Sequence, residues 1–430
     1  KKDSLQELKS SKKYLDSVDT ASNSFSISNL LFGYSYSNSY KKQRFSISSP
    51  FFGTHFNTVQ GYNTSVDISY RKNQDDNFGK YWRVYSNMNY GFSEDRFRIK
   101  AGFQKKFNNI SKPILNIEAG VETAQINPTL PISERINDIT SLFFERNYLK
   151  LYEKQFAEIS YQQELFNGFS LFTDISYQQR NSLFNSSDNS WVNQDDVSYT
   201  SNNPLQPENF GSAPFIDHNI FKLNISGRID FAQKYLSYPD SKVNVSSNKF
   251  PTLWLAYEKG FGSDVSGYNF DQIRAALTQT VKLGNKGNFG YTLKGGAFLN
   301  DNEISYLDYQ HFNGNQTRIG SGRYLNKFNL LPYYKLSTKN NYLEMHAEQD
   351  FQGWILGKLP LINKLNYNLI LGAHALSIEN NKPYTEFSVG MDNLGFGKYR
   401  LLRLDYVVSN YQGKTEAAFI FGLKFLGIFE

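Results

Sequence analysis

The sequence contains no cysteine, which excludes a disulfide scaffold and cysteine-ligated zinc or iron–sulfur sites. It has no apolar run of the roughly 20 residues that a membrane-spanning helix needs. Tryptophan, methionine and histidine are scarce, at 4, 3 and 5 of 430 residues. The histidines have no H-E-x-x-H spacing and there is no G-x-S-x-G elbow, so nothing points to a zinc protease or an α/β-hydrolase. Neither charge sign is in large excess: 46 basic and 40 acidic side chains leave a net charge of +6, without a long basic run. Nucleic-acid binding is therefore not indicated. No secretory signal is visible, and the chain begins at Lys1 rather than Met, as a mature or trimmed form does.

Aromatic residues, in contrast, are abundant: 36 Phe and 30 Tyr bring the aromatic share to 16%. A disordered chain would be poor in them. The mean hydropathy is nonetheless −0.53. A polar average, many aromatics and no long apolar run fit an all-β transmembrane antiparallel β-barrel, in which lipid-facing and lumen-facing residues alternate.

That alternation is legible. Ala157, Ile159, Tyr161 and Leu165 fall on one face, with Glu158, Ser160, Gln162 and Glu164 on the other. After the hairpin dipeptide Asn167-Gly168, Phe169, Leu171, Thr173 and Ile175 oppose Ser170, Asp174 and Ser176. Phe221, Leu223 and Ile225 oppose Lys222, Asn224 and Ser226. A period of two sustained over about 10–13 residues is long for a soluble sheet and right for a tilted membrane strand. A soluble β-sandwich or β-helix would rarely sustain so many strands of this length.

Strand starts are expected near Tyr62, Lys80, Asp95, Pro113, Gln155, Gly168, His218, Thr252, Asp271, Gly287, Tyr342, Leu365, Thr385, Tyr399 and Glu416, with a first strand at Asn29–Asn38. The total is about 16, an even number. Long connections at 123–154, 181–217 and 300–339 then share one end as outer loops. The segment 328–337, although strand-like, belongs inside the last of them. Asn167-Gly168, Leu283–Asn285 and Asn393–Gly395 become short periplasmic turns. Residues 28–430 form the barrel and 1–27 a periplasmic segment. There Ser4 and Glu7 fit the capping box of a short helix, with a frayed linker as the other reading.

Phe387–Met391, Leu401–Tyr406 and Ala417–Phe425, with a turn at Leu394-Gly395, resemble the last three strands of the outer-membrane barrel-assembly and two-partner-secretion transporter superfamily. In that superfamily a long outer loop carries an Arg-containing motif and folds into the barrel. The similar stretch is Asp308–Arg318, with Asn313-Gly314-Asn315 in place of a glycine pair and Arg318-Ile319-Gly320 in place of Arg-Gly-aromatic. The chain also resembles an uncharacterised Bacteroidota-type outer-membrane barrel family, often with an upstream carboxypeptidase-regulatory-like domain. The matching stretches are Phe56–Gly61, His311–Asn315, Leu330–Tyr334 with Ser337-Thr338, and Tyr342 through Lys364.

The resemblance implies a lumen-docking loop carried by His311, Phe312, Gly314, Asn315 and Arg318. The arginine would dock onto acidic wall residues, a contact that can be bidentate. Glu344, Glu348 and Asp350 share the face of one strand with Tyr342 and His346, and Arg403 and Asp405 lie on another. His346 among carboxylates could ligate a metal, but a hydrogen-bonded polar wall is the plainer reading, and no metal or other cofactor is expected. The first and last strands form the seam, with Leu31, Gly33, Phe419, Phe421, Gly422 and Phe425 as its residues. Glycine at 33, 422 and 427 would weaken it.

The expected function is non-enzymatic: assembly, insertion or export of other outer-membrane or surface proteins in the outer membrane of a Gram-negative bacterium. Outer-membrane lipid and lipopolysaccharide would surround it. The alternatives are a passive pore, with lumen charges such as Arg228, Asp230 and Arg403 setting selectivity, and an anchor that binds partners through its outer loops.

Overall fold

The computed structural model describes residues 9–74, 79–245, 249–300, 303–320, 322, 324–397 and 399–423. The expected helix cap at Ser4 and Glu7, and Phe425 and Gly427 of the seam, lie outside them. Two helices come first, α1 (Lys12–Ser22) and α2 (Ser28–Phe32). The strands that follow are β1 (Tyr34–Asn38), β2 (Gln43–Ile47), β3 (Thr54–Asn57), β4 (Gly61–Asn73), β5 (Tyr81–Gly91), β6 (Arg96–Lys106) and β7 (Ile114–Gln125). Helix α3 (Glu134–Phe144) precedes β8 (Leu151–Phe166), β9 (Phe169–Ser182) and β10 (His218–Asp230). A small hairpin, β11 (Lys234–Ser237) and β12 (Lys242–Val245), leads to β13 (Thr252–Phe261), β14 (Phe270–Lys282) and β15 (Asn288–Asn300). After the two-residue β16 (Ile319–Gly320) come β17 (Tyr342–Asp350), β18 (Asn368–Ile378), β19 (Tyr384–Phe396), β20 (Tyr399–Tyr411) and β21 (Lys414–Leu423).

The wall is a transmembrane antiparallel β-barrel in which each strand pairs with its sequence neighbour. Strands β2 and β3 are halves of one wall strand, because both pair with β4 along the same edge. Ser48 N–H donates to Asp67 O and Ser65 N–H to Gly53 O, while residues 49–52 bulge out between them. Pro50 in that bulge cannot join the ladder. This crossing was not expected from the sequence: the bulge and the basic stretch before Arg44 break the period of two. Counting β2 with β3, the wall has sixteen full crossings plus the five-residue stub β1.

The side chains sort as alternation requires. On β19, Tyr384, Glu386, Ser388 and Gly390 face the buried lumen, while Phe387, Val389 and Met391 are exposed on the outside. On β20, Arg403, Asp405, Val407 and Ser409 point in, and Leu402 and Tyr406 out. Exposed apolar side chains recur on the outer face of nearly every strand, as a lipid-facing belt requires.

Several local expectations are corrected. The first strand does not begin at Asn29. Leu30, Leu31 and Phe32 are three consecutive apolar residues that cannot alternate, and they form α2 instead. Gly33 at φ +83° then turns the chain into β1. Asn393–Gly395 is not a turn but an irregularity within β19, where the register to β20 shifts and Asn393 has φ +64°. Strand β18 begins at Asn368 rather than near Leu365, which closes a 3-10 turn. At the end with the short turns, 231–251 and 351–367 are long connections. The strand-like segment 328–337, by contrast, lies in the loop between β15 and β17, as expected, and forms no strand.

Val389 stands mid-way along β19 and is 54% exposed on the outer face. Val389→Arg is expected to destabilise the barrel in lipid vesicles by about 2–4 kcal/mol, the cost of a cation near the bilayer midplane. Urea unfolding in vesicles measures it.

Candidate functional site: a loop folded into the lumen

The connection from 303 to 341 does not cap the barrel from above. It descends inside the wall and returns, and it is fastened at four places. Near the loop end, Asp308 takes two hydrogen bonds from Arg180 of β9, at 2.6 and 3.1 Å, and one from Lys222 of β10 at 3.0 Å. Burial pushes the Asp308 carboxyl up, but the two adjacent cations outweigh it and hold the group below the usual carboxylate range. Lys222 also pairs with Glu258, which Arg274 reaches at 2.6 Å.

The second fastening is Glu386 on β19, which is 0% exposed. Its carboxylate accepts the backbone N–H groups of Asn329 (2.7 Å), Leu330 (2.7 Å) and Leu331 (3.2 Å), and the Tyr384 hydroxyl at 2.6 Å. Successive amides converging on an anion form a nest. Each hydrogen bond to a charged group contributes about 1.5–3 kcal/mol.

Beside it, Phe328 is fully buried between wall rings. Its centroid lies 4.7 Å from that of His346, 6.3 Å from His374 and 5.6 Å from Tyr384. His346 Nε2 meets Glu344 at 2.6 Å, and its Nδ1 meets His374 Nδ1 at 2.9 Å. Lys294 completes the group with a 3.0 Å bond to Glu344. Among the described residues, no cluster has the composition of a metal site.

The fourth fastening lies toward the opposite end. Arg403 reaches Glu348 at 2.7 Å and Asp405 at 2.8 Å, and its guanidinium lies 3.6 Å from the centroid of the Tyr324 ring. Such a cation–π contact contributes about 0.5–1 kcal/mol at an exposed site and about 2 kcal/mol when desolvated. The Tyr324 hydroxyl sits against Gly320 and Gly422, where a Cβ on either glycine would collide with it. These two glycines are register partners in the parallel pairing of β16 with β21. Phe421 N–H donates to Arg318 O at 3.0 Å, so the loop occupies part of the free edge of the last strand.

The expected docking residues are placed as follows. Phe312 is buried against Tyr342. Gly314 lies so close to Leu331 O that no Cβ would fit. Asn315 accepts from Thr317 N–H and donates to Ile319 O, shaping the turn that presents β16. His311 donates from Nε2 to Tyr306 O (3.0 Å), so its Nδ1 accepts from the Ser337 hydroxyl (2.7 Å). Arg318 departs from expectation. Its side chain is exposed, and no ion pair among the described residues involves it; its φ of +60° and its carbonyl are what matter. Glu344, Glu348 and Asp405 pair with Lys294 and Arg403 instead. Asp350 accepts from Gln352 N–H at the turn after β17 rather than facing the loop. Glu386, Phe328 and Tyr324 were not singled out from the sequence. The alternation placing Glu386 between outward Phe387 and Thr385 was a usable signal; nothing local marks Phe328 or Tyr324.

The loop is roofed by the neighbouring connections. Helix α3, N-capped by Ser133, packs Ile136 with Val59, Ile132, Leu149 and Tyr333. Buried Asn137 accepts from Tyr148 N–H and Leu149 N–H and donates to Phe56 O.

At the seam, β21 pairs with β20 on one edge, and among the described residues no strand pairs with its other edge from Lys414 to Ile420. On the opposite edge, Ser37 of β1 exchanges both backbone hydrogen bonds with the Asn23 side chain (2.7 and 2.8 Å). Asp19 takes Ser39 N–H at 2.6 Å. Helix α1 thus covers the edge of β1. Leu31 is exposed beside this edge, and Phe419 and Phe421 are exposed on the outer face of β21.

A β-barrel whose lumen holds its own outer loop is the class these features define. The chain belongs to the DUF5686 C-terminal domain family, a family of unknown function, which it matches over residues 28–391. No curated protein matches it. Among solved structures it is similar to BamA from Haemophilus ducreyi lacking POTRA domains 1–3, at 12% identity and TM-score 0.46, covering 89% of this chain and 69% of that one. It is similar to CdiB from Acinetobacter baumannii at 9% identity and TM-score 0.38, covering 86% of this chain and 57% of CdiB. A mutant porin of Rh. blastica aligns at 12% identity and TM-score 0.32, over 88% and 96% of the two chains. The chain therefore spans just over half the length of CdiB.

Burial pushes the pKa of His311 from 6.5 down to about 4, against the opposing pull of the Tyr306 carbonyl. The folded loop holds the imidazole neutral, whereas a released loop would take up a proton below pH 6.5. Loop stability is accordingly present above pH 6.5 and lost as pH falls toward 4. Hydrogen exchange of residues 304–338, corrected for intrinsic rates, is expected to quicken over that window in the native chain, and His311→Gln to flatten the dependence.

Proposed function

We propose that this protein resides in the outer membrane of a Gram-negative bacterium and assists the assembly, insertion or export of other outer-membrane or surface proteins. The observation that carries the reading is the unzipped seam. A free strand edge is a template for pairing with another chain, and barrels normally abolish it by closure. Among the described residues, the edge of β21 is left to a two-residue loop segment, and β1 is covered by side chains of α1. An incoming strand could add to β21 through main-chain hydrogen bonds, with the lipid-facing belt receiving its apolar side chains. Lipid and lipopolysaccharide then surround the barrel, and the clients are its protein partners. A passive pore fits less well, because the loop from 303 to 341 and its four fastenings occupy the lumen.

The absence of cysteine makes a clean test available. Ile319 and Phe421 are register partners, so Ile319→Cys with Phe421→Cys is designed to lock the loop onto the last strand upon oxidation. In vesicles, the reduced double variant should speed the folding of an eight-stranded client barrel, and the oxidised form should lose most of that acceleration until reductant is added. Equal assistance by the locked and reduced forms would rule out the β21 edge as the working surface.

A further inference from the structure

Lys150 is a buried cation that none of the preceding contacts uses. It precedes β8 and is 7% exposed. Its ammonium donates to Thr200 Oγ1 at 3.0 Å and Ser201 O at 2.7 Å. An ammonium has three donors, so one is unspent. Among the described residues, no carboxylate lies within ion-pair distance. Lys150 lines a cavity of about 380 Å³ on which three connections converge: the end of the α3 loop, the loop between β9 and β10, and the lumen loop at Gln316 and Pro332–Tyr334.

We propose that this cavity binds an acidic sugar, with the Lys150 ammonium taking the sugar's carboxylate or phosphate. The volume sits at the small end of ligand pockets, which run about 300–1,000 Å³, and suits one ring better than an extended chain. The walls have the two textures that a pyranose needs. Tyr148 and Tyr333, in ring contact with centroids 5.4 Å apart and tilted 57°, form one apolar wall together with Pro204 and Pro332, and the C–H face of a sugar packs on such a surface. Polar groups line the same cavity beside this apolar wall. Gln316 accepts Tyr333 N–H on its carbonyl oxygen at 3.1 Å, and its amide nitrogen has no partner among the described residues.

The anionic requirement follows from the electrostatics. Burial alone pushes Lys150 from 10.5 down to about 7. The other charged groups on the cavity are Glu145, which accepts Gln194 N–H, and exposed Arg146; neither pairs with Lys150. A bound anion would supply the missing countercharge and restore the proton. Binding and proton uptake are then linked, and affinity falls as pH rises above about 7.

Isothermal titration calorimetry of the whole barrel in detergent, freed of lipopolysaccharide, tests this with D-glucuronate, α-D-glucose 1-phosphate and D-glucose. The acidic sugars should bind at least about tenfold more tightly than glucose, a gap of about 1.4 kcal/mol. In a buffer series at pH 8, binding should take up close to one proton. Lys150→Met should abolish binding while the exchange protection of residues 304–338 persists. Should that variant lose its cap, the proton uptake of the native chain still decides the matter. No binding of either acidic sugar at millimolar concentration, or binding without proton uptake, or equal affinity for glucose, would overturn the proposal. Competition by purified lipopolysaccharide would assign the sugar to the membrane's own lipid, and its failure to compete, to free acidic glycans; both outcomes support the site.

Discussion

Glu386 is a carboxylate held inside a membrane-spanning wall with no cation beside it among the described residues. Removing such a charge from water costs several kcal/mol unless its lone pairs are filled. The filling comes mostly from outside the wall: three consecutive backbone amides of the lumen loop, joined by the Tyr384 hydroxyl of β19 itself. The dependence is mutual. Irregular backbone at membrane depth is tolerated only where its polar groups are satisfied by protein or by a wet cavity. Loop and wall therefore complete one another, and the remaining fastenings follow from that insertion. Phe328 seats beside the nest, Asp308 bridges β9 and β10 above it, and Tyr324 lies on Arg403 below it.

The same insertion explains the seam. Once the loop is inside, its turn at Asn315–Arg318 brings β16 to the edge of β21, where Gly320 and Gly422 leave room for Tyr324. The glycines expected to weaken the last strand are, at position 422, better understood as permitting this close approach. The two ends of the wall are thus covered by different devices, one from the loop and one from helix α1. Neither device is a wall strand, so among the described residues both edges are blunted without being closed. That arrangement combines a lumen filled by the loop with an edge of β21 that is largely free among the described residues.

The barrel was legible because alternation survives wherever one face meets lipid and the other the lumen. Ala157 through Leu165 and Phe221 through Ile225 show it plainly. Legibility failed where the chain leaves that regime. The β2–β3 crossing is broken by the bulge at Pro50, and α2 gathers three apolar residues at the stub. The docking region was located through His311–Asn315, yet Arg318 acts through its carbonyl rather than its charge. Glu386 and Phe328 escaped notice because their roles depend on contacts between the loop and the wall, 55–57 residues apart in sequence for Glu386, and no local pattern announces such a pairing.

The claim on which this account rests is that the lumen is closed by the loop and that Glu386 holds it there. Planar-bilayer recording compares the native barrel with Glu386→Ala in the same lipid. The account predicts a silent native barrel, and open steps of large conductance in the variant as the unpinned loop leaves the lumen. A native barrel that conducts steadily, at the level of an unobstructed wall of this size, would contradict it.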